Sequence, residues 1–178
     1  MAGTSGSPAF SLNAAGAYDE AIINTFNNAA CFPGQTASLG CVGSQQNIHN
    51  ARLNNAPRWT ANFNAEYDYS MEGNYTLFVT STWHWQSSEI FNILQDPDSL
   101  QKSYGLFNVG LGFETSQWKL TLLCNNVFNQ SYALYKTRNA TWNINPYGAS
   151  AGPITDAIEY APGRDSIRYF GIQLGFNF

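Results

Sequence analysis

The stretch "RYFGIQLGFNF", residues 168–178, decides how the rest of the chain is read. Arg168, Phe170, Ile172, Leu174, Phe176 and Phe178 fall on one side of an extended chain. Tyr169, Gly171, Gln173, Gly175 and Asn177 fall on the other. Successive side chains of a strand point to opposite faces, so this alternation is that of a β-strand set between two unlike environments. One side is large and apolar, the other small or polar. Either a protein core or a lipid can lie against the apolar side, and the strand alone does not choose between them.

The same pattern recurs upstream. "WTANFNAEYDY" sets Trp59, Ala61, Phe63, Ala65, Tyr67 and Tyr69 against Thr60, Asn62, Asn64, Glu66 and Asp68. "YTLFVTSTWHW" sets Tyr75, Leu77, Val79, Trp83 and Trp85 against Thr76, Phe78, Thr80, Thr82 and His84. "YGLFNVGLGF" and "WKLTLLCNNVF" alternate likewise, and "FSLNAAGAYD" does so more weakly. The sum is about six strands of roughly 9–11 residues, long enough to cross a bilayer when tilted.

The connections also alternate. "SMEGN" and "ETSQ", at about 70–74 and 114–117, are short turns. The segments at about 20–56, 86–103 and 129–166 are long loops. In an up-and-down meander every second connection lies at the same end, so the long loops gather on one side and the short turns on the other. That asymmetry is the one found in outer-membrane barrels. Tyr67, Tyr69, Tyr75, Phe113, Trp118, Phe176 and Phe178 cluster toward the short-turn end, and Trp59, Trp83, Trp85 and Phe128 toward the long-loop end. Such bands match interfacial aromatic girdles; aromatics capping a soluble core would also sit near strand ends. Glu66, Asp68 and Lys119 fall on the polar face, where a wet lumen accommodates them. Arg168 either snorkels from the apolar face or precedes the strand.

Composition agrees with this reading. Of 178 residues, aromatics make up 15% and charged residues only 11%, against the ~25% usual in soluble domains. Mean hydropathy is still −0.27, because uncharged polar residues fill the alternate positions. The combination suits a transmembrane β-barrel and also some secreted β-sandwiches such as lectins. A net charge of −4 leaves no electrostatic footprint for nucleic acid. No run of ~18 apolar residues is present to form a spanning helix. "MAGTSGSPAF" has neither the basic nor the apolar region of a signal peptide. A single-chain barrel needs about eight strands to close, and an open edge in lipid is costly. The expectation is therefore the C-terminal portion of a larger barrel.

Cys31 and Cys41 bracket "CFPGQTASLGC" in the first long loop, and an oxidising exterior favours a disulfide between them. Cys124 on an apolar face reads as a small hydrophobe. His49 and His84 are isolated, no residue set has catalytic or metal-ligand spacing, and neither an enzyme nor a cofactor is expected. The last loop is rich in Tyr, Trp, Asn and Gly. Its Lys136, Arg138, Trp142, Tyr147 and Tyr160 are the candidate ligand contacts, suited to a sugar or to an anionic aromatic chelate, although the aromatics can equally pack the loop on itself.

Three segments together resemble the end of a TonB-dependent outer-membrane receptor. "LNNAPRWTANFNAEYDY" resembles that family's Asn-Ala-Pro entry to a strand, with Asn55, Ala56 and Pro57. "LTLLCNNVFNQSYALY" resembles the penultimate strand, with Asn126, Val127, Phe128 and Asn129 at its corner and Tyr132 following. "PGRDSIRYFGIQLGFNF" resembles the last strand, led in by Pro162, Gly163 and Arg164. The resemblance runs from about Ala9 onward. It implies an antiparallel, up-and-down barrel of about 22 strands, of which this chain supplies the last six or so. It implies extracellular long loops, a terminal aromatic at Phe176 and Phe178 read by the assembly machinery, and a Gram-negative outer-membrane location. Its functional implication is energy-dependent uptake of an iron–siderophore complex, cobalamin or an oligosaccharide. The plug, and through it the inner-membrane energy-coupling complex, would be partners lying outside this sequence. The competing expectation is a secreted carbohydrate-binding β-sandwich.

Overall fold

The computed structural model describes residues 8–71, 73–138 and 158–176. Trp142, Tyr147 and Phe178, named above, therefore lie outside the described residues. In chain order the strands are β1 (Pro8–Tyr18), β2 (Ala29–Ala30), β3 (Gln45–Gln46), β4 (Trp59–Met71), β5 (Tyr75–Gln86), β6 (Glu89–Ile90), β7 (Leu100–Gln101), β8 (Tyr104–Glu114), β9 (Trp118–Asn125), β10 (Ala133–Arg138), β11 (Ile158–Pro162) and β12 (Tyr169–Phe176). Two short 3-10 helices, Ala37–Leu39 and Pro97–Ser99, lie in the loops. Among the described residues no helix is long and apolar enough to cross a membrane.

The architecture is an all-β antiparallel meander: β1, β4, β5, β8, β9 and β12 form one six-stranded sheet in that order. Turn chemistry sets the first tight hairpin. Gly73 and Asn74 have φ of 89° and 62°, the left-handed pair that matches the twist of flanking strands. At the second, the Thr115 hydroxyl accepts the backbone N–H of Trp118 at 3.0 Å, closing the turn over three residues. Register then carries the period-two pattern across the whole sheet. Phe10, Tyr67, Val79, Leu111, Leu122 and Ile172 are successive partners on one face. Ser11, Glu66, Thr80, Gly110, Leu123 and Gly171 form the matching row on the other. A slip of one residue would exchange the faces, so each strand pattern holds its neighbour's register.

No second layer covers the apolar face among the described residues. The six residues of its central row are 42–75% exposed. Aromatic contacts gather at both ends of this face. At the loop end Tyr18 meets Trp59 at 4.5 Å and Phe63 meets Trp83 at 5.4 Å between ring centroids. At the turn end Phe113 stacks on Tyr75 at 5.4 Å and meets Trp118 edge-on at 5.1 Å. Tyr67, Tyr69 and Phe176 lie toward the turn end of the same face, and Trp85 toward the loop end. Strands β1 and β12 are the two edges and do not pair with each other, so the sheet does not close into a barrel.

The polar face is less uniform than the alternation implies. Phe78 is buried there, lying across its partner Gly112, where a Cβ would overlap its ring. The Lys119 ammonium sits 4.2 Å from the Phe78 ring centre and 2.9 Å from Glu114, so it is engaged by the wall itself. Boundaries also shift. The long strands run from 8 to 13 residues, and β12 begins at Tyr169, which leaves Arg168 before it. The loops are not featureless, either. They contain the paired ribbons β2–β3, β6–β7 and β10–β11. Ala29, Phe32, Ile48, Phe91, Tyr132 and Ala133, all in these loops, are buried. Most of the buried apolar side chains among the described residues thus lie in a cap at the loop end, and the sheet adds Phe78 and Tyr104.

Candidate functional site

Several side chains tie the cap together by addressing backbone groups of their own or another loop. Gln46 donates to the carbonyls of Ala30 and Leu94, both at 2.8 Å. Arg52 donates to the Ser88 carbonyl at 3.2 Å, and Gln95 donates back to the Arg52 carbonyl at 2.9 Å. The first loop is further closed by a Cys31–Cys41 disulfide, with 5.8 Å between the Cα atoms. Cys124 carries a free thiol in β9. In the second loop, Asp96 is fully buried and its carboxylate accepts the Asp98 backbone N–H, capping the short helix. Glu89, half-buried at the start of β6 in the same loop, has its carboxyl pKa pushed up by burial, against the lowering effect of the hydrogen bond from Gln86.

The third loop leaves the sheet at a corner built on Asn126. This residue is fully buried with φ of 51°, a conformation that Asn tolerates better than most residues. Its side-chain amide donates to the carbonyls of Gln130 and Asp165 at 2.9 and 2.8 Å, and its Oδ1 accepts from the Gln130 N–H at 2.7 Å. One side chain therefore ties together the departing and returning ends of the loop. Asn129 does the same on a smaller scale, accepting the Arg168 backbone N–H at 2.9 Å. Beyond the corner, Tyr132 stacks on Tyr104 at 4.4 Å and its ring occupies the space where a Cβ of Gly163 would lie. Gln101 accepts the Ala133 backbone N–H at 2.9 Å, fixing the start of the β10–β11 ribbon.

Between this ribbon and the second loop lies an open hollow of about 350 Å³. Its lining includes Lys102, Ser131, Tyr132, Lys136 and Tyr160. The Lys136 ammonium donates to the Leu100 carbonyl at 3.3 Å and sits 5.9 Å from the Tyr160 ring centre. The Tyr160 hydroxyl donates to the Tyr132 carbonyl at 3.1 Å. The hollow is thus a set of hydroxyls and amides with two ammonium groups at its margin. It can hydrogen-bond a polar ligand and attract a negative one.

Of the ligand contacts expected from sequence, Lys136 and Tyr160 come together here as cross-strand partners. Arg138 goes elsewhere: its guanidinium engages buried Asp96, at 3.3 Å, and Asp98, so it clasps the ribbon to the second loop. Lys102, Gln101 and Tyr132 were not singled out as site residues. A lone Lys in "LQKSYG" carries no periodic signal, and only the long-range docking of the ribbon reveals it. Among the described residues no three His, Cys, Asp or Glu side chains gather to hold a metal. No family model, curated protein or solved structure matches the chain.

Proposed function

We propose that this chain forms part of the wall and mouth of an outer-membrane receptor–transporter barrel of the TonB-dependent type. The observation that carries the reading is the uncovered apolar face, continuous across six strands between two aromatic bands. A soluble surface scatters its apolar residues, whereas hydrocarbon tails complement such a face over its full width. The sorted connections support the same orientation, with the cap outward and the tight turns toward the periplasm. The two unpaired edges call for further strands, since open backbone in lipid costs several kcal/mol per unsatisfied group. On this reading a plug and the inner-membrane energy-coupling complex supply the transport step, the assembly machinery reads the terminal Phe176 and Phe178, and the cap contributes to ligand capture from the medium. A secreted carbohydrate-binding β-sandwich would need a second sheet on the apolar face, and the described residues supply none.

The test is direct. The chain is refolded into vesicles whose acyl tails carry bromine at defined depths, and tryptophan emission is recorded. Quenching that depends on bromine depth places the Trp59, Trp83 and Trp118 bands at the two interfaces. A chain that stays in the aqueous fraction as a compact, unquenched particle would refute the proposal.

A further inference from the structure

Of the eight cationic side chains, three are held by carboxylates and five, Arg52, Lys102, Lys136, Arg164 and Arg168, have no salt bridge among the described residues. Arg58 pairs with Glu20, Lys119 with Glu114, and Arg138 with Asp96 and Asp98. Lys102 and Lys136 both border the hollow, and neither has a carboxylate partner among the described residues. No Asp or Glu lines the hollow either. Acids do flank the hollow, Glu89 as the cross-strand partner of Gln101 and Glu159 next to Tyr160, while Asp96 and Asp98 are held by Arg138 two positions along the ribbon from Lys136. In a chain of net charge −4 the lining itself thus carries two positive side chains and no negative one. The remaining lining mixes polar groups, on Gln101, Ser103, Gln130, Ser131 and Tyr160, with the apolar surfaces of Leu100 and Tyr132.

We infer that the hollow binds a small hydroxylated oxyanion, such as a hydroxy-dicarboxylate or a phosphorylated polyol. The two ammonium groups supply the counter-charge, and the amides and hydroxyls satisfy the ligand's own hydroxyls. A neutral or apolar ligand would leave the two lysines without a counter-charge. The inference rests on the receptor reading only for where the ligand comes from. Binding itself is a property of the folded cap, so the two can fail separately. The oxyanion can be free in the medium or belong to a lipid headgroup at the membrane surface.

The experiment titrates the chain, folded in zwitterionic detergent micelles, with tartrate, succinate and tartramide by calorimetry. Tartrate is expected to bind, succinate to bind more weakly, and the uncharged tartramide not to bind. Lys102→Met with Lys136→Met should weaken tartrate binding by about tenfold or more, while Lys119→Met, at the far end of the sheet, should leave it unchanged. Each variant is first checked for an intact Cys31–Cys41 disulfide and unaltered resistance to protease in the cap. Competition with phosphatidylglycerol vesicles, against phosphatidylcholine vesicles, assigns the source: displacement of tartrate identifies a headgroup, and its absence a free solute. Tartramide binding as well as tartrate, a double lysine variant that binds normally, or no anion bound at all would each overturn the inference. Tartrate binding by a chain that escapes bromine quenching would instead sink only the receptor reading.

Discussion

Asn126 does more than any other single side chain to hold the third loop to the sheet. Asn126→Ala removes both amide donations and the acceptor for the Gln130 N–H, and it leaves a residue poorly suited to φ of 51°. A loss of ~2–3 kcal/mol is expected from stranding those buried backbone groups, read as a lower urea midpoint for the chain in micelles. Glu89 offers a residue-scale test with a pH signature. Burial raises its folded-state pKa above the unfolded value. The protonated form therefore suits the fold, and stability from that form is lost as pH rises through the raised pKa. Glu89→Gln should raise the unfolding midpoint at neutral pH, and the gain should fade as the medium is acidified below the ordinary carboxylate range. An equal gain at every pH would mean that ionisation is not the cause. The Asn-rich corner was visible in the sequence as a motif, but its mechanism was not. Which carbonyls one amide can reach depends on where Asp165 returns, 39 residues later.

At the scale of elements, the six long strands were legible because period-two alternation repeats along each of them and the tight turns carry Gly, Asn and Thr where the backbone needs them. The ribbons inside the loops were not. Pairs of two residues, as in β2–β3 and β6–β7, are too short to display any period. The pairing of Arg138 was hidden for a related reason. A cation in a polar loop looks available until the buried Asp96 arrives from another loop to meet it. The Cys31–Cys41 bridge closes a short loop, for which ~3 kcal/mol of stabilisation is expected. Reduction should accordingly open the backbone between the two cysteines to protease before the rest of the cap is cut, as followed by mass spectrometry of the fragments. Simultaneous loss of all three loops would instead make the disulfide the keystone of the entire cap.

For the molecule as a whole, the unequal faces of the sheet predict unequal tolerance of charge. Leu111→Lys puts an ammonium in the centre of the apolar face, and insertion should fall by the ~2–4 kcal/mol typical of a mid-bilayer cation. Thr80→Lys, on the opposite face of the neighbouring strand, should change little. The folded fraction recovered in vesicles measures both, and matching losses would remove the distinction between the faces. What no strand pattern could convey is that burial is concentrated in the cap. That arrangement bears on how such a surface can change with time. Gln46, Arg52, Gln95 and Lys136 grip main-chain carbonyls, at Ala30, Leu94, Ser88, Arg52 and Leu100. Every amino acid offers the same carbonyl. The side chains at Ala30, Ser88, Leu94 and Leu100 are therefore free to drift while the roof they belong to keeps its shape.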